Sequence, residues 1–135
     1  MNPVVHFEMP AEDKSRMSKF YERAFGWKTE QLGPEMGNYV LATTTETDEN
    51  HMIKTPGHIN GGFYEKNGPD QHTRITIAVD DIREAMKKVE KAGGKVLGGM
   101  QTPGEPDEIP GVGLYAIFVD TEGNRVSLLQ PTDTM

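Results

Sequence analysis

The chain has 135 residues and a formal net charge of −7, and its composition includes 15 Gly, 9 Pro and no Cys. This length fits a single domain, and the lack of cysteine excludes a disulfide framework and thiolate metal ligands, so a metal would need His, carboxylate or water. The acidic balance and the lack of a long apolar run or secretory signal predict a cytoplasmic protein that binds neither nucleic acid nor membrane.

Residues 4–27 predict one strand followed by one amphipathic helix. In the strand, His6 and Glu8 alternate with the apolar Phe7 and Met9, and successive strand residues point to opposite faces of a sheet. One face therefore meets the helix, and the polar face is the candidate site. The helix has a predicted buried stripe at the spacing i, i+3, i+4, i+7, i+8, which ends before a glycine. The stripe consists of Met17, Phe20, Tyr21, Ala24 and Phe25.

Three more strands are predicted in the first half of the chain, in residues 28–32, 39–43 and 59–64. A surface loop is predicted for residues 44–58, which are rich in Thr, Asp and Glu and end at Pro-Gly. Gly61 and Gly62 are unusual inside a strand and indicate a bulge or a close backbone approach, with a ligand lying against the backbone as the sharper alternative. Residues 65–72 form a polar linker that contains Asn-Gly and Pro.

The second half of the chain repeats the first with a shift of 68 positions and no gap. The shift aligns Asp13 with Asp81, Ala24 with Ala92, Gly26 with Gly94, His6 with Arg74, and Glu8 with Thr76. The second helix is predicted to begin at Asp81, and Glu84 gives it a weak capping-box pattern.

Strands are predicted at residues 95–100, 114–119 and 125–130, with a Pro/Gly-rich loop at 101–113. The sequence therefore predicts an α+β fold made of two tandem βαβββ repeats. We place the first repeat at about 4–64 and the second at about 73–131, joined by the linker at about 65–72, in a single domain of residues 1–135.

Segments from nearly the whole chain carry a resemblance to a known family. FYERAFGW closes the first helix, AVDDI precedes the second, and VDTEGNRVSLLQP lies near the end of the chain. This chain resembles the vicinal-oxygen-chelate superfamily, which includes glyoxalase I, extradiol dioxygenases, fosfomycin-resistance enzymes and bleomycin-resistance proteins. HFEMPAED, INGGFYEK and IPGVGLYAIFVDTEGN are more similar to its glyoxalase-related branch than to glyoxalase I itself. The resemblance implies a curved, half-open barrel with both helices outside, and a homodimer.

Metal-using members of this family hold their ion with ligands on the first and fourth strands of each repeat. By this resemblance His6 occupies the first ligand position, and it is the only retained residue of a ligating type. Asn60 or Gly62 falls where a glutamate is expected. Arg74 stands at the place of a histidine, and Ser127 at the place of the second glutamate. Arginine cannot ligate a cation, so we expect no cofactor, with a divalent Zn, Ni, Mn or Fe in an altered ligand set as the alternative.

His6 and Glu8 are the candidate catalytic residues, because they share the polar face of the first strand. Arg74 is expected to lie in the same cavity. It either pairs internally with Glu8, which would make the pair structural, or holds a carboxylate or phosphate of a ligand. The other predicted substrate-binding residues are Thr76, Asn60, Gly62, Tyr115 and Ser127.

Two functions remain open from the sequence. The first is a binding protein, or a metal-free enzyme, that takes a small molecule, including an anion, into a concave cavity. The second is a metal-dependent lyase, similar to lactoylglutathione lyase, or a dioxygenase, with an altered ligand set. We favour the first, because a glyoxalase mechanism needs a metal and a carboxylate that moves a proton, and neither is evident.

Overall fold

The computed structural model describes residues 1–132, and the last three residues of the predicted domain 1–135 lie outside the described residues. The strands are β1 Val4–Ala11, β2 Lys28–Gln31, β3 Val40–Thr43, β4 Asn60–Glu65, β5 Arg74–Ala78, β6 Lys95–Gly98, β7 Asp107–Ile109, β8 Gly113–Val119 and β9 Arg125–Pro131. The helices are α1 Lys14–Phe25, α2 Ile82–Lys91 and a single 3₁₀ turn at Pro34–Met36. The predicted α+β class and the order βαβββ in the first repeat are therefore confirmed.

The chain divides into two compact units. The first-repeat unit is His6–Thr73, and the second-repeat unit combines Met1–Val5 with the chain from Arg74 onward. Among the described residues, no helix has the length and apolar character needed to cross a membrane.

In the first-repeat unit, β1 pairs in parallel with β4, and β3 pairs antiparallel with both β4 and β2. The helix α1 begins where Asp13 accepts a hydrogen bond from the backbone N–H of Arg16 at 3.0 Å, and it ends at Gly26 in the left-handed conformation. Both boundaries follow the usual chemistry of helix caps. The core consists of Ala11, Val40, Ala42 and Phe63, with Phe7, Met9, Met17, Tyr21 and Trp27 packed against it.

The prediction of a buried stripe on α1 is wrong for three of its five residues. Met17 and Tyr21 pack on the core, but Phe20 and Phe25 are 58% and 66% exposed, and Ala24 is exposed as well. The physical reason is that Tyr21 and Trp27 stack on each other with ring centroids 4.5 Å apart and already cover the core. The helix therefore keeps an apolar surface that faces away from this core.

In the second-repeat unit, β5 pairs in parallel with β9, β9 pairs antiparallel with β8, and β8 pairs antiparallel with β6. The helix α2 begins at Asp81, which accepts a hydrogen bond from the N–H of Glu84 at 3.1 Å, as predicted. Its fully buried Ile82 joins a core with Val79, Met86, Ala116 and Leu128. The 68-residue shift also aligns Ile75 with Phe7, on the apolar face of the strand pattern, but Ile75 is 42% exposed.

The segment 101–113, predicted as a loop, contains the additional short strand β7, which pairs antiparallel with β8. The Asp107 carboxylate organises the turn before it by accepting hydrogen bonds from Met100 N, Gln101 N and Thr102 Oγ1. These side-chain to backbone hydrogen bonds shape the turn. A Pro/Gly-rich sequence shows no regular strand periodicity, so β7 could not be predicted from it. The second repeat thus has one strand more than the predicted βαβββ order.

Candidate functional site

The polar face of the first-repeat unit lies across β1 and β4. Their parallel register places His6 opposite Asn60 and Glu8 opposite Gly62. Glu8 is buried and His6 is half-buried. The two candidate catalytic residues therefore lie on one strand face, as period-two alternation requires.

Tyr39, which the sequence did not point to, completes this face. Its hydroxyl lies 3.3 Å from Nε2 of His6. Burial of the imidazole lowers the pKa of His6 below its ordinary value, and the Glu8 carboxylate opposes this shift. A neutral His6 has one donor and one acceptor nitrogen, so it can share a proton with the phenol or take one from a bound molecule.

The Gly61–Gly62 pair makes room for two aromatic rings of the chain itself. A Cβ atom at Gly62 would meet the Tyr39 hydroxyl at 2.0 Å, and a Cβ atom at Gly61 would meet the Phe7 ring at 2.5 Å. The close backbone approach that the sequence indicated is therefore made by side chains of this unit. The Tyr39 ring occupies the space into which a side chain at Gly62 would project.

Asn60 has a structural role in the same strand. Its side-chain oxygen accepts hydrogen bonds from the backbone N–H groups of Thr44 at 2.7 Å and Thr45 at 3.0 Å. This carbonyl is thereby committed to holding the start of the loop that follows β3. The assignment of Asn60 to substrate binding stays a prediction.

The second-repeat unit brings three of the predicted substrate-binding residues into one hydrogen-bonded group. Arg74 Nε donates to Ser127 Oγ at 3.1 Å, and Arg74 Nη2 donates to the Tyr115 hydroxyl at 3.1 Å. The Tyr115 and Ser127 oxygens lie 2.6 Å apart. All three side chains are buried, and so is Thr76, which pairs in register with Ser127. We call Arg74, Thr76, Tyr115 and Ser127 the arginine cluster.

The strand registers show which positions of the two repeats correspond. Glu8 aligns with Thr76 by the 68-residue shift, and these residues pair with Gly62 and Ser127 respectively. Gly62, rather than Asn60, is therefore the counterpart of Ser127. The first repeat offers no side chain at this position, and the second offers a hydroxyl.

The donor set does not fit the metal site of the family. Within residues 1–132, no group of three or more His, Cys, Asp or Glu side chains is arranged to hold a metal ion. Arg74 carries a permanent positive charge and has no lone pair for a cation, and Ser127 is a neutral hydroxyl already bonded to it. His51, His58 and His72 are exposed, as expected for loop residues.

Tyr39 could not be assigned to the site from the sequence, because it only begins a predicted strand and has no partner at a recognisable spacing. Its role depends on the antiparallel register that places Leu41 of β3 opposite Gly62 of β4. The one available signal was the glycine pair, since adjacent glycines inside a strand indicate that something approaches the backbone closely.

The model of the glyoxalase/bleomycin resistance protein/dioxygenase superfamily matches residues 4–128 of this chain. The chain belongs to this superfamily. A glyoxylase-like domain-containing protein of Didymella fabae is 33% identical over 121 residues, which cover 87% of this chain and 84% of that protein. The predicted family is thereby confirmed.

Other similar proteins differ in the activity that their names state. A lactoylglutathione lyase of Oryza sativa subsp. japonica is 26% identical over 138 residues, which cover 97% of this chain but 45% of the rice protein. A solved structure of methylmalonyl-CoA epimerase with methylmalonyl-CoA and NH4+ has a TM-score of 0.68 and 14% identity, covering 99% of this chain and 97% of that one. The epimerase likeness shows the fold, and a shared fold does not carry a shared reaction.

Proposed function

We propose that this chain binds a small anionic molecule through the arginine cluster, without a metal ion held at the family's ligand positions. The observation that carries the proposal is that Arg74 and Ser127, which stand where the second repeat of metal-using relatives would supply ligands, are hydrogen-bonded to each other, and that Arg74 also donates to Tyr115. A guanidinium and hydroxyls offer hydrogen-bond donors, and donors recognise the oxygens of a carboxylate or phosphate.

Burial strengthens this preference. Arg74 is 7% exposed, and Ser127 and Thr76 are almost completely buried. A hydrogen bond to a charged group is stronger in such surroundings than in water, because the local dielectric is low. The two hydroxyls also fix the plane of the guanidinium, so little conformational entropy is lost when an anion binds.

The direct test is calorimetric titration with inorganic phosphate, acetate and oxalate as probes. Arg74→Met keeps the length of the side chain but removes the charge and the donors. We expect it to weaken binding of the preferred probe by about 1.5 to 3 kcal/mol, the range for a hydrogen bond to a charged group. Arg125→Met is the matched control, because Arg125 lies exposed on β9. Equal weakening by both substitutions, or no binding of any oxyanion, would contradict the proposal.

The second candidate is a metal-dependent lyase, and two observations favour it. A histidine, His6, stands at the first ligand position of the family, and the rice relative is named a lactoylglutathione lyase. In either function, His6 and Glu8 stay the candidates for proton transfer, since a neutral imidazole and a carboxylate share one strand face. Metal analysis of protein purified without a His-tag or chelator separates the two. Near-stoichiometric Zn, Ni, Mn or Fe would reject the metal-free proposal.

A further inference from the structure

The outward face of α1 combines exposed aromatic rings with positive charge. Phe20 and Phe25 are 58% and 66% exposed, and a shallow groove beside Phe20 is lined by Arg16, Lys19 and Arg23. Within residues 1–132, none of these three cations forms an ion pair. We call these five residues the α1 face. Large exposed aromatic side chains grouped in this way are typical of a binding surface.

The charge of α1 is opposite to that of the chain. The helix contains four of the 14 basic residues and only one of the 21 acidic residues, Glu22. An acidic chain thus concentrates positive charge around its exposed aromatic rings. A surface that fits the α1 face must supply negative charge together with apolar side chains.

One segment of the same chain has this composition. The loop between β3 and β4 carries Glu46, Asp48 and Glu49, all exposed, next to Met52 and Ile53, which are 53% and 36% exposed. We call these five residues the acidic loop. Lys54 is the basic residue beside them, and it lies 3.8 Å from Glu46 in an exposed pair.

The acidic loop is held in shape before any partner arrives. The Asp48 carboxylate accepts hydrogen bonds from the N–H groups of Asn50 at 2.8 Å and Met52 at 3.0 Å, and Thr47 forms a bridge with Ile53. A preorganised loop loses little entropy on binding, so its apolar and acidic groups can contribute fully to an interface.

We propose that a second copy of this chain docks its acidic loop on the α1 face. The two surfaces match in both charge and apolar character, and in a two-fold dimer each chain supplies both, so the contact forms twice. Pairing α1 with α1 would instead place cations against cations. An anionic membrane would account for the α1 face, but it would repel the acidic loop and leave Met52 and Ile53 exposed. This inference is independent of the proposed anion site.

A charge-exchange experiment tests the contact by sedimentation equilibrium over a concentration series. The α1-reversed variant is Lys19→Glu with Arg23→Glu, and the loop-reversed variant is Glu46→Lys with Glu49→Lys. Each should raise the dimer Kd at least about tenfold, because like charges then face each other in both contacts. An equimolar mixture of the two variants should recover dimers, since each reversed surface meets its complement in the other chain. Lys88→Glu with Lys91→Glu, in the last turn of α2, is the matched control and should leave the Kd unchanged.

Several outcomes would overturn the proposal. These are a monomeric wild type throughout the series, dimers that persist in both reversed variants, and a mixture that stays monomeric while circular dichroism shows both variants folded. Flotation with equimolar phosphatidylcholine and phosphatidylserine vesicles tests the membrane alternative. Vesicle binding by the wild type and the loop-reversed variant, but not by the α1-reversed variant, would assign the α1 face to a lipid surface instead.

Discussion

In the first repeat, the neutral imidazole of His6 contacts the hydroxyl of Tyr39, whose ring packs against Gly62. In the second repeat, the buried guanidinium of Arg74 donates hydrogen bonds to two hydroxyls. The two arrangements start from equivalent positions, because the 68-residue shift aligns His6 with Arg74. The first contains a titratable imidazole whose pKa is lowered by burial, and the second contains a group that is always charged.

The two repeats share their strand pairing but differ in the residue types that this pairing places on the polar face. Both repeats keep the parallel pairing of their first and last strands, which fixes where the polar side chains lie. The residue types at those places differ, so the first repeat carries an imidazole at the position where the second carries a guanidinium. Function in this superfamily therefore has to be argued from side chains and not from the fold.

The largest effect we expect comes from adding one methyl group to the first repeat. Gly62→Ala would place a Cβ atom 2.0 Å from the Tyr39 hydroxyl, so the ring must move and lose its contact with His6. We expect the free energy of unfolding, measured in urea, to fall by about 3 kcal/mol, at the upper end for overpacking.

Two comparisons make this prediction specific. Adding Tyr39→Ala should recover part of the loss in Gly62→Ala, because the obstructing ring is then gone. Gly68→Ala, in the linker, should change stability by less than about 0.5 kcal/mol, since nothing lies within 4 Å of its added Cβ. If Gly62→Ala lowered the free energy of unfolding no more than Gly68→Ala, the Tyr39 ring would not pack against Gly62 as described.

The next effect compares the phenols of the two repeats. Tyr115→Phe removes the oxygen that accepts from Arg74 and lies 2.6 Å from Ser127, so each of these buried groups loses one hydrogen-bond partner. We expect a loss of about 2 kcal/mol in the free energy of unfolding. Tyr39→Phe removes a longer bond, 3.3 Å, from a half-buried site and should cost about 1 kcal/mol or less. Equal losses would show that the arginine cluster is no more tightly bonded than the His6 site.

The sequence predicted the first strand and the helix start of each repeat, because these features depend on residues that are close together in the chain. Period-two alternation located β1 and β5, and the cap residues Asp13 and Asp81 located the starts of both helices. The exposure of Phe20 and Phe25 could not be predicted, because a helical stripe shows which residues share a face but not how much of that face the neighbouring core covers.

The site was predictable to the extent that strand alternation carries it. His6, Glu8 and Arg74 came from the pattern and the repeat. Tyr39 did not, because its place depends on the pairing of β3 with β4, which the sequence shows only as two short strands. The choice between Asn60 and Gly62 likewise required the register, since a shift of two residues leaves the strand pattern unchanged.

The smallest effect we expect is a pH dependence that only the first repeat supplies. Burial lowers the pKa of His6 in the folded chain, so between this value and the unfolded value of about 6.5 the unfolded chain binds more protons. The contribution of a neutral His6 to stability is therefore fully present above about pH 6.5 and is lost as the pH falls toward the folded pKa. Its slope cannot exceed about 1.4 kcal/mol per pH unit, and the opposing field of Glu8 keeps it smaller.

Urea unfolding of the wild type, His6→Gln and Arg74→Met between about pH 7.5 and pH 5.5 measures this slope. His6→Gln should lose part of the wild-type decline, because glutamine does not titrate. Arg74→Met should keep the decline unchanged, since arginine stays protonated throughout this range. The exposed His51, His58 and His72 are common to all three proteins and cancel in the comparison. If Arg74→Met flattened the profile and His6→Gln did not, the titrating group would belong to the second repeat, and the contrast between the two sites would be reversed.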